Sequence, residues 1–302
     1  MKNAVRCLGI TTISAVLALI ATILRCIASV TSMDYFTGFY ADAPLINIAN
    51  IAMAISALAP LASLLLKVKG VALPKDMNKP LWYIPSAIMA VATLWIATDI
   101  FSYVASRVGD NIAILSSDRS CIAALLAGAL ALCAVAFFAV SALTINKKGS
   151  VLGYLGIGAA LFFGMYAAFL FFRLGSAIHQ PQKIVTEIAA VAASLFLLEE
   201  TRIALGKDRW QHYLTFGAVT AMLSAYAVLP ALAVYIIKGK MIAYSLGEAA
   251  MLLFVLVFAI CRTVSAVKHA GATADAALAE EEVSDIPTED ERQIPDEENT
   301  GN

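Results

Sequence analysis

Long, unbroken hydrophobic stretches follow one another along most of the chain, and only short polar segments separate them. A helix needs about 20 apolar residues to cross a hydrocarbon core about 30 Å thick, and eight stretches meet this requirement. Their apolar residues do not alternate with polar ones, as they would in the strands of a membrane barrel. Because backbone amides inside lipid must bond to one another, each stretch is predicted to be a helix. The predicted spans are Leu8–Val30, Leu45–Leu66, Leu81–Val104, Cys121–Ile145, Val151–Phe172, Ile184–Leu205, Tyr213–Ile237 and Met241–Val264.

The composition points to the same architecture. Hydrophobic residues make up 61% of the 302 residues and charged residues 14%, with a mean hydropathy of +0.81, whereas soluble domains contain about 25% charged residues. Lys2 and Arg6 precede the first span as they would precede a signal peptide, but no small-residue cleavage site follows, so we expect the span to be retained. The sequence therefore predicts an all-α fold, a polytopic transmembrane helical bundle of eight spans with the lipid bilayer as its partner.

An acidic segment follows the last span. From Ala272 onward, eleven acidic residues stand against a single basic one, Arg292, and no aromatic residue is present. Such a segment cannot bury enough apolar surface to fold alone. We therefore predict a disordered acidic cytoplasmic tail over residues 271–302, which is either solvated or a docking site for a basic cytoplasmic protein.

Lysine and arginine residues are distributed unequally between the two sides of the predicted bundle. With the N-terminus inside, thirteen lie at inner ends or loops and seven at outer ends or loops, leaving out Arg292 of the tail. Positive residues favour the cytoplasmic side, and an even number of spans returns the chain to its starting side. This predicts a multi-pass protein of the cell membrane with both termini cytoplasmic.

The two halves of the hydrophobic region resemble each other. Spans one and five both open with Leu-Gly-Ile, at residues 8–10 and 155–157, and Arg25 and Arg173 close them at nearly the same distance from that motif. With four spans in each unit, both units enter the membrane from the same side, which would make this a parallel repeat. The predicted units are residues 1–147 and 148–270.

Five charged residues are predicted to lie at a similar depth, near the outer ends of the spans: Arg25, Asp99, Arg173, Glu187 and Glu248. A charge at the bilayer centre costs at least about 2.5–3.5 kcal/mol, so these groups should pair or face water. Either they form a structural layer of ion pairs, or they line an outward-facing pocket for an ion or a small polar solute. Asp99 is flanked by apolar residues, and Arg25 and Arg173 are its candidate partners.

A second group of charges, formed by Glu199, Glu200 and Arg202, lies at the inner end of span six. Lys207 and Arg209 follow it in the chain. We expect this group to be solvated at the membrane interface.

Motifs of the common catalytic and cofactor sites are missing from the sequence. There is no Gly-rich nucleotide-binding loop, no His-Glu-x-x-His zinc motif and no Gly-x-Ser-x-Gly turn, and the five cysteines form no Cys-x-x-Cys. The three histidines lie near span ends or in the tail, where they could not serve as axial ligands of a haem inside the membrane. The basic residues form no continuous patch. We therefore predict that the protein is not an enzyme, holds no cofactor or metal and binds no nucleic acid.

Two classes of function remain. A small-solute or ion transporter, permease-like in architecture, is favoured by the number of spans, the repeat, the prolines inside spans and the outer charges, by analogy between folds. The alternative is a non-enzymatic membrane scaffold or sensor that acts on a cytoplasmic partner through the acidic tail. The apolar composition at the middle of the spans keeps the alternative open, because a transporter needs polar groups there.

Cysteine labelling tests the predicted orientation. In a background without the five native cysteines, a cysteine introduced between Asp34 and Asp42 should react with a membrane-impermeant reagent added outside, because this loop is predicted to be external. A cysteine introduced between Lys67 and Lys79 should react only after the membrane is opened. Labelling of position 75 from outside would contradict the orientation.

Overall fold

The structure, a computed structural model, describes residues 2–35, 37–41, 43–66, 68, 79–109, 114–143, 150–173, 179–207, 209–240 and 245–284. Within these ranges the chain forms eight long helices and one short helix. They are α1 (Lys2–Thr31), α2 (Ala43–Ser63), α3 (Lys79–Val108), α4 (Ile114–Ser117), α5 (Arg119–Leu143), α6 (Ser150–Phe172), α7 (Pro181–Ala204), α8 (Trp210–Lys238) and α9 (Leu246–Ser284).

Each predicted span coincides with a long helix, which confirms the helical bundle. Seven of these helices are long and apolar enough to cross a membrane, and α7 is not among them. This helix carries Lys183 and Glu187 near its start and Glu199, Glu200 and Arg202 near its end. The protein is therefore a helical membrane protein, and the count of eight spans stays a prediction.

Six of the helices form a closed ring. Each helix of the series α3, α5, α6, α7, α8 and α9 packs against the next, and α9 packs against α3. As a result α6 and α9 lie opposite each other, because two other helices separate them in either direction around the ring. We name the two ends of the ring after the predicted orientation: α3, α6 and α8 finish at the outer end, and α5, α7 and the membrane-embedded part of α9 run toward the inner end.

The first two helices lie outside this ring. α1 packs against α2 and α8, and α2 packs against α1 and α8. At the inner end, the Gln211 side chain of α8 donates to the carbonyl oxygens of Ser63 (2.6 Å) and Leu66 (2.8 Å), so that polar groups at the end of α2 are satisfied. In the predicted duplication α7 corresponds to α2. However, α7 belongs to the ring, whereas α2 lies outside it. The duplication of residues 1–147 in 148–270 stays a prediction.

The start of α5 is stabilised by Asp118. This carboxylate accepts hydrogen bonds from the hydroxyl and the backbone N–H of Ser120, at 2.7 and 2.8 Å, as an N-cap residue does. It also pairs with Arg107 at the end of α3, at 3.2 Å. The hydroxyl bond from Ser120 lowers the pKa of Asp118 below its ordinary value, and the backbone bond and Arg107 act in the same direction.

The loop after α1 folds back onto the outer end of the bundle. Its backbone closes through Asp34 N–H to the Phe39 carbonyl (2.8 Å) and Ala41 N–H to the Ser32 carbonyl (2.7 Å). Tyr40 bonds through its hydroxyl to Ser29 of α1, at 2.9 Å. A Cβ at Gly38 would overlap the side chain of Gln180, so the loop lies directly against the start of α7.

Helix α9 continues through Ser284, 39 residues in all. Residues 272–284 therefore lie within the range of this helix, and the disordered tail over residues 271–302 stays a prediction. Residues 272–284 are rich in Ala and Glu, which are strong helix formers. The remaining tail, residues 285–302, lies outside the described residues.

Aromatic rings fill the middle of the ring. Phe258 of α9 packs edge-on against Phe138 of α5 and Phe196 of α7, with ring centroids 5.5 and 6.0 Å apart. Phe162 and Tyr166 of α6 continue this packing toward the outer end. All five rings are almost fully buried, so bulky side chains close the space between the two ends of the ring.

Glycine residues bring α6 close to its two neighbours. A Cβ at Gly156 would overlap the hydroxyl of Thr201 on α7, and a Cβ at Gly158 would lie 2.7 Å from the Cβ of Cys133 on α5. At Gly164, by contrast, the nearest atom would be the Ser194 hydroxyl, at an ordinary 3.7 Å. Such small-residue surfaces let membrane helices pack without a hydrophobic driving force.

Two substitutions in α6 test this packing. Gly156→Ala should lower the free energy of unfolding by about 1–3 kcal/mol, because the buried Thr201 side chain has to move. The matched variant Gly164→Ala should change it by less than about 1 kcal/mol. Unfolding of the purified protein in detergent, followed by circular dichroism, measures both. Equal stability of the two variants would contradict the close contact at Gly156.

Candidate functional site: charged layers at the two ends of the ring

A polar cavity of about 350 Å³ lies at the outer end of the ring, between α3, α6 and α9. It brings together three of the five charged residues singled out in the sequence: Asp99, Arg173 and Glu248. Hydroxyl groups and aromatic rings complete its wall, among them those of Ser102, Tyr103, Ser245 and Phe169.

Arg173 and Glu248 form an ion pair that crosses the ring from α6 to α9. Glu248 is only 3% exposed, whereas the Arg173 side chain is 31% exposed. The Glu248 carboxylate also accepts the backbone N–H of Ser245 at 3.2 Å, and the Ser245 hydroxyl accepts the backbone N–H of Glu248 at 3.1 Å. This reciprocal arrangement is a capping box that starts α9 and orients its carboxylate.

Asp99 faces the same cavity from α3. Its carboxylate accepts a hydrogen bond from the Ser245 hydroxyl, at 3.1 Å. A Cβ at Gly247 would overlap the Asp99 carboxylate, so the start of α9 lies directly beside it. Within the described residues Asp99 has no cationic group within ion-pair distance, and it is half-buried. Its negative charge is therefore not neutralised in the way that Glu248 is.

The other two predicted residues lie elsewhere at the outer end. Arg25 contacts the start of α7 and the ring of Tyr226, so the expectation that it could pair with Asp99 is wrong. Glu187 lies one turn along α7 from Lys183, and its Oε1 atom is buried without a hydrogen-bond partner. The predicted cluster is therefore divided among separate places at a similar depth.

A second charged layer lies at the inner end and is more deeply buried than expected. Arg262 of α9 is 0% exposed and Glu200 of α7 is 3% exposed. The Arg262 Nε atom lies 3.5 Å from Glu200 Oε1, and the hydroxyl of Tyr213 donates to the same oxygen at 2.5 Å. The expectation that Glu200 is solvated at the interface is wrong, and Arg262 is not the surface anchor that the count of positive residues assumed.

Arg262 joins several helices at the centre of the ring. Its NH2 group donates to the hydroxyls of Ser86 on α3 (2.8 Å) and Ser141 on α5 (3.2 Å). The guanidinium lies over the ring of Trp82, 3.0 Å from its centroid, and 4.9 Å from that of Phe258. Such stacking on aromatic faces is favourable for arginine. Side chains of α3, α5, α7 and α9 meet at this guanidinium, so it closes the inner end of the ring.

The neighbouring Glu199 is also buried, at 6% exposure, but its partners are more exposed than those of Glu200. Glu199 pairs with Arg202 at 2.9 Å and lies 3.8 Å from His212, and both partners are about one-third exposed. Glu199 and Glu200 are adjacent in the chain, but their side chains leave α7 in different directions. Glu199 faces Arg202 and His212, whereas Glu200 faces Arg262 and Tyr213 at the centre of the ring. The sequence signal for the buried layer was Arg262 itself, a charged residue inside the last apolar stretch.

One helix carries a charged group of both layers. Glu248 and Arg262 lie 14 positions apart on α9, which corresponds to about 21 Å of helix, or nearly four turns. Among the described residues, no three His, Cys, Asp or Glu side chains form a group that could hold a metal ion. Comparison with known proteins found no matching family model, no matching curated protein and no matching solved structure.

Substitution of the two adjacent glutamates tests the buried layer. Glu200→Gln should lower the free energy of unfolding by about 3–5 kcal/mol, because it leaves the Arg262 charge buried and uncompensated. Glu199→Gln should cost about 1 kcal/mol or less, because water can reach its partners. Unfolding in detergent measures the two variants side by side, and a cost for Glu200→Gln no larger than that for Glu199→Gln would contradict the assignment.

Proposed function

We propose that this protein is a transporter of small solutes that carry a positive charge, located in the cell membrane with both termini cytoplasmic. The observation that carries the proposal is the Asp99 carboxylate, which faces a polar cavity inside a membrane-embedded ring without a cationic partner among the described residues. Ionisable residues inside membrane segments are rare and mark solute or ion pathways.

The charges of the cavity support a cationic or amine-bearing solute. Arg173 is already paired with Glu248, so the remaining charge is the negative one of Asp99. Tyr103 and Phe169 supply aromatic rings in the same cavity. Aromatic faces attract cations, and the Arg173 guanidinium already lies 5.9 Å from the centre of each ring, so a solute would share these rings with Arg173. A carboxylate beside aromatic rings suits an alkylammonium group, and the volume of about 350 Å³ suits a small one.

Barriers below the cavity fit a transporter that is closed toward its inner side. The aromatic rings around Phe258 fill the middle of the ring, and the Arg262–Glu200 layer closes its inner end. A solute that enters from the cavity would have to pass both. Passage therefore requires these layers to separate, as alternating access demands.

The variant Asp99→Asn tests the proposal. The amide can still accept the Ser245 bond, so the variant should fold with nearly unchanged stability, whereas loss of the charge should weaken binding of a cationic solute about 10–100-fold. Thermal stabilisation of the purified protein by sodium, putrescine, choline and arginine identifies the solute, and uptake into proteoliposomes measures transport.

Glu187→Gln is the matched control, since it neutralises a carboxylate at similar depth that does not line the cavity. It should retain solute binding. If Asp99→Asn binds and transports the solute as the unmodified protein does, the proposed role of Asp99 is wrong. If Asp99→Asn loses stability but keeps its affinity, Asp99 has a structural role only.

A second candidate, a membrane sensor that acts on a cytoplasmic partner, is favoured by the length of α9. This single helix runs from Glu248 in the outer cavity, past Arg262, into the Glu-rich segment that ends at Ser284. A rigid helix could carry a change at the cavity to the cytoplasmic side. Solute binding that depends on Asp99, without any uptake into proteoliposomes, would support the sensor over the transporter.

A further inference from the structure

Arg25, near the end of α1, is a buried cation without an anionic partner among the described residues. The residue is 0% exposed. Its NH2 group donates to the Gln182 side chain at 2.8 Å and to the Pro181 carbonyl at 3.4 Å, and its guanidinium lies 4.5 Å from the centre of the Tyr226 ring. The Nε and NH1 atoms are buried and have no hydrogen-bond partner. No carboxylate of the described residues lies within ion-pair distance of it.

The other cations that lie deep in the described part of the bundle have compensating partners, although the Nε and NH1 atoms of Arg262 lack hydrogen-bond partners just as those of Arg25 do. Arg173 pairs with Glu248, and Arg262 with Glu200. Lys183 donates to carbonyl oxygens at the end of α6, those of Phe171 (3.1 Å) and Arg173 (3.4 Å), where the helix dipole is negative. Burying an uncompensated charge is costly, so Arg25 is the exception that needs an explanation.

The surroundings of Arg25 add positive rather than negative potential. Its guanidinium lies against the first turn of α7, and the N-terminus of a helix is the positive end of its dipole. This 24-residue helix starts without a side-chain cap and without an acidic residue in its first turn. Oxyanions bind at such helix starts, and arginine is the preferred side chain for phosphate recognition because of its fork of donors.

We propose that Arg25 and the N-terminus of α7 form a binding site for a phosphate-type oxyanion at the outer end of the protein. The oxyanion would accept hydrogen bonds from Nε and NH1 of Arg25 and would neutralise both the guanidinium and the helix dipole. The group comes either from a phospholipid headgroup or from free phosphate. This site is separate from the cavity at Asp99, and it does not depend on the transport proposal.

Thermal stability of the purified protein in a neutral detergent tests the site and separates the two sources. Dioleoyl phosphatidylglycerol, dioleoylglycerol (which lacks the phosphate) and inorganic phosphate at constant ionic strength are added separately. Phosphatidylglycerol should raise the Tm of the unmodified protein by about 3–6 °C, and dioleoylglycerol should not. An equal rise with inorganic phosphate assigns the site to a free anion, and a rise with the lipid alone assigns it to a headgroup.

Variants show whether Arg25 is responsible. Arg25→Gln should abolish the rise in Tm, whereas Arg107→Gln, which removes an exposed arginine at the same end, should retain it. If Arg25→Gln does not fold, Arg25→Lys replaces it and should reduce the rise, because a lysine lacks the fork of donors. The proposal is overturned if neither phosphate source raises the Tm of the unmodified protein, or if the rise persists in the Arg25 variant.

Discussion

The ion pairs made by α9 determine how the six-helix ring closes. The packing neighbours of α9 are α8 and α3, but its charged groups reach across the ring. Glu248 pairs with Arg173 on the opposite helix, α6, and Arg262 contacts Glu200 on α7 and the hydroxyls of α3 and α5. Since lipid supplies no hydrophobic force between helices, polar contacts of this kind specify which helices meet.

The two layers also explain why the space between them is apolar. The ion pairs Arg173–Glu248 and Arg262–Glu200 each form within one end of the ring, and the middle between them is filled by Phe138, Phe196 and Phe258. Hydroxyls at intermediate depth bond to backbone carbonyls, as Thr220 does to Ala192 (2.9 Å) and Ser194 to Ala160 (2.7 Å). The apolar mid-span composition seen in the sequence is therefore compatible with polar sites at both ends.

Much of the fold could be predicted from the sequence, because hydrophobic length alone specifies membrane helices. The depth of Asp99, Arg173 and Glu248 could be predicted too, since depth follows from position along a span. Their pairing could not be predicted: it depends on how each helix is rotated and on which helices are neighbours in the ring. Arg25 and Arg173 close similar spans, yet only Arg173 meets a carboxylate.

The inner layer was missed for a different reason. Counting Lys and Arg residues near span ends treats each one as a solvated anchor, and Arg262 lies close enough to a span end to be counted. The groups around it come from four other helices: Ser86 and Trp82 from α3, Ser141 from α5, Glu200 from α7 and Tyr213 from α8. No local pattern in the sequence connects them.

The two layers differ in how easily they can separate. At the outer end, water already reaches the Arg173 side chain, which is 31% exposed, so solvent can replace Glu248 as its partner when the pair opens. At the inner end, Arg262 and Glu200 are almost completely buried, and separating them exposes two charges to a low dielectric unless water enters at once. Opening of the outer end should therefore cost less free energy than opening of the inner end. The charged layer beside the cavity is therefore the weaker of the two, and the Arg262–Glu200 layer is the one that holds its end of the ring closed.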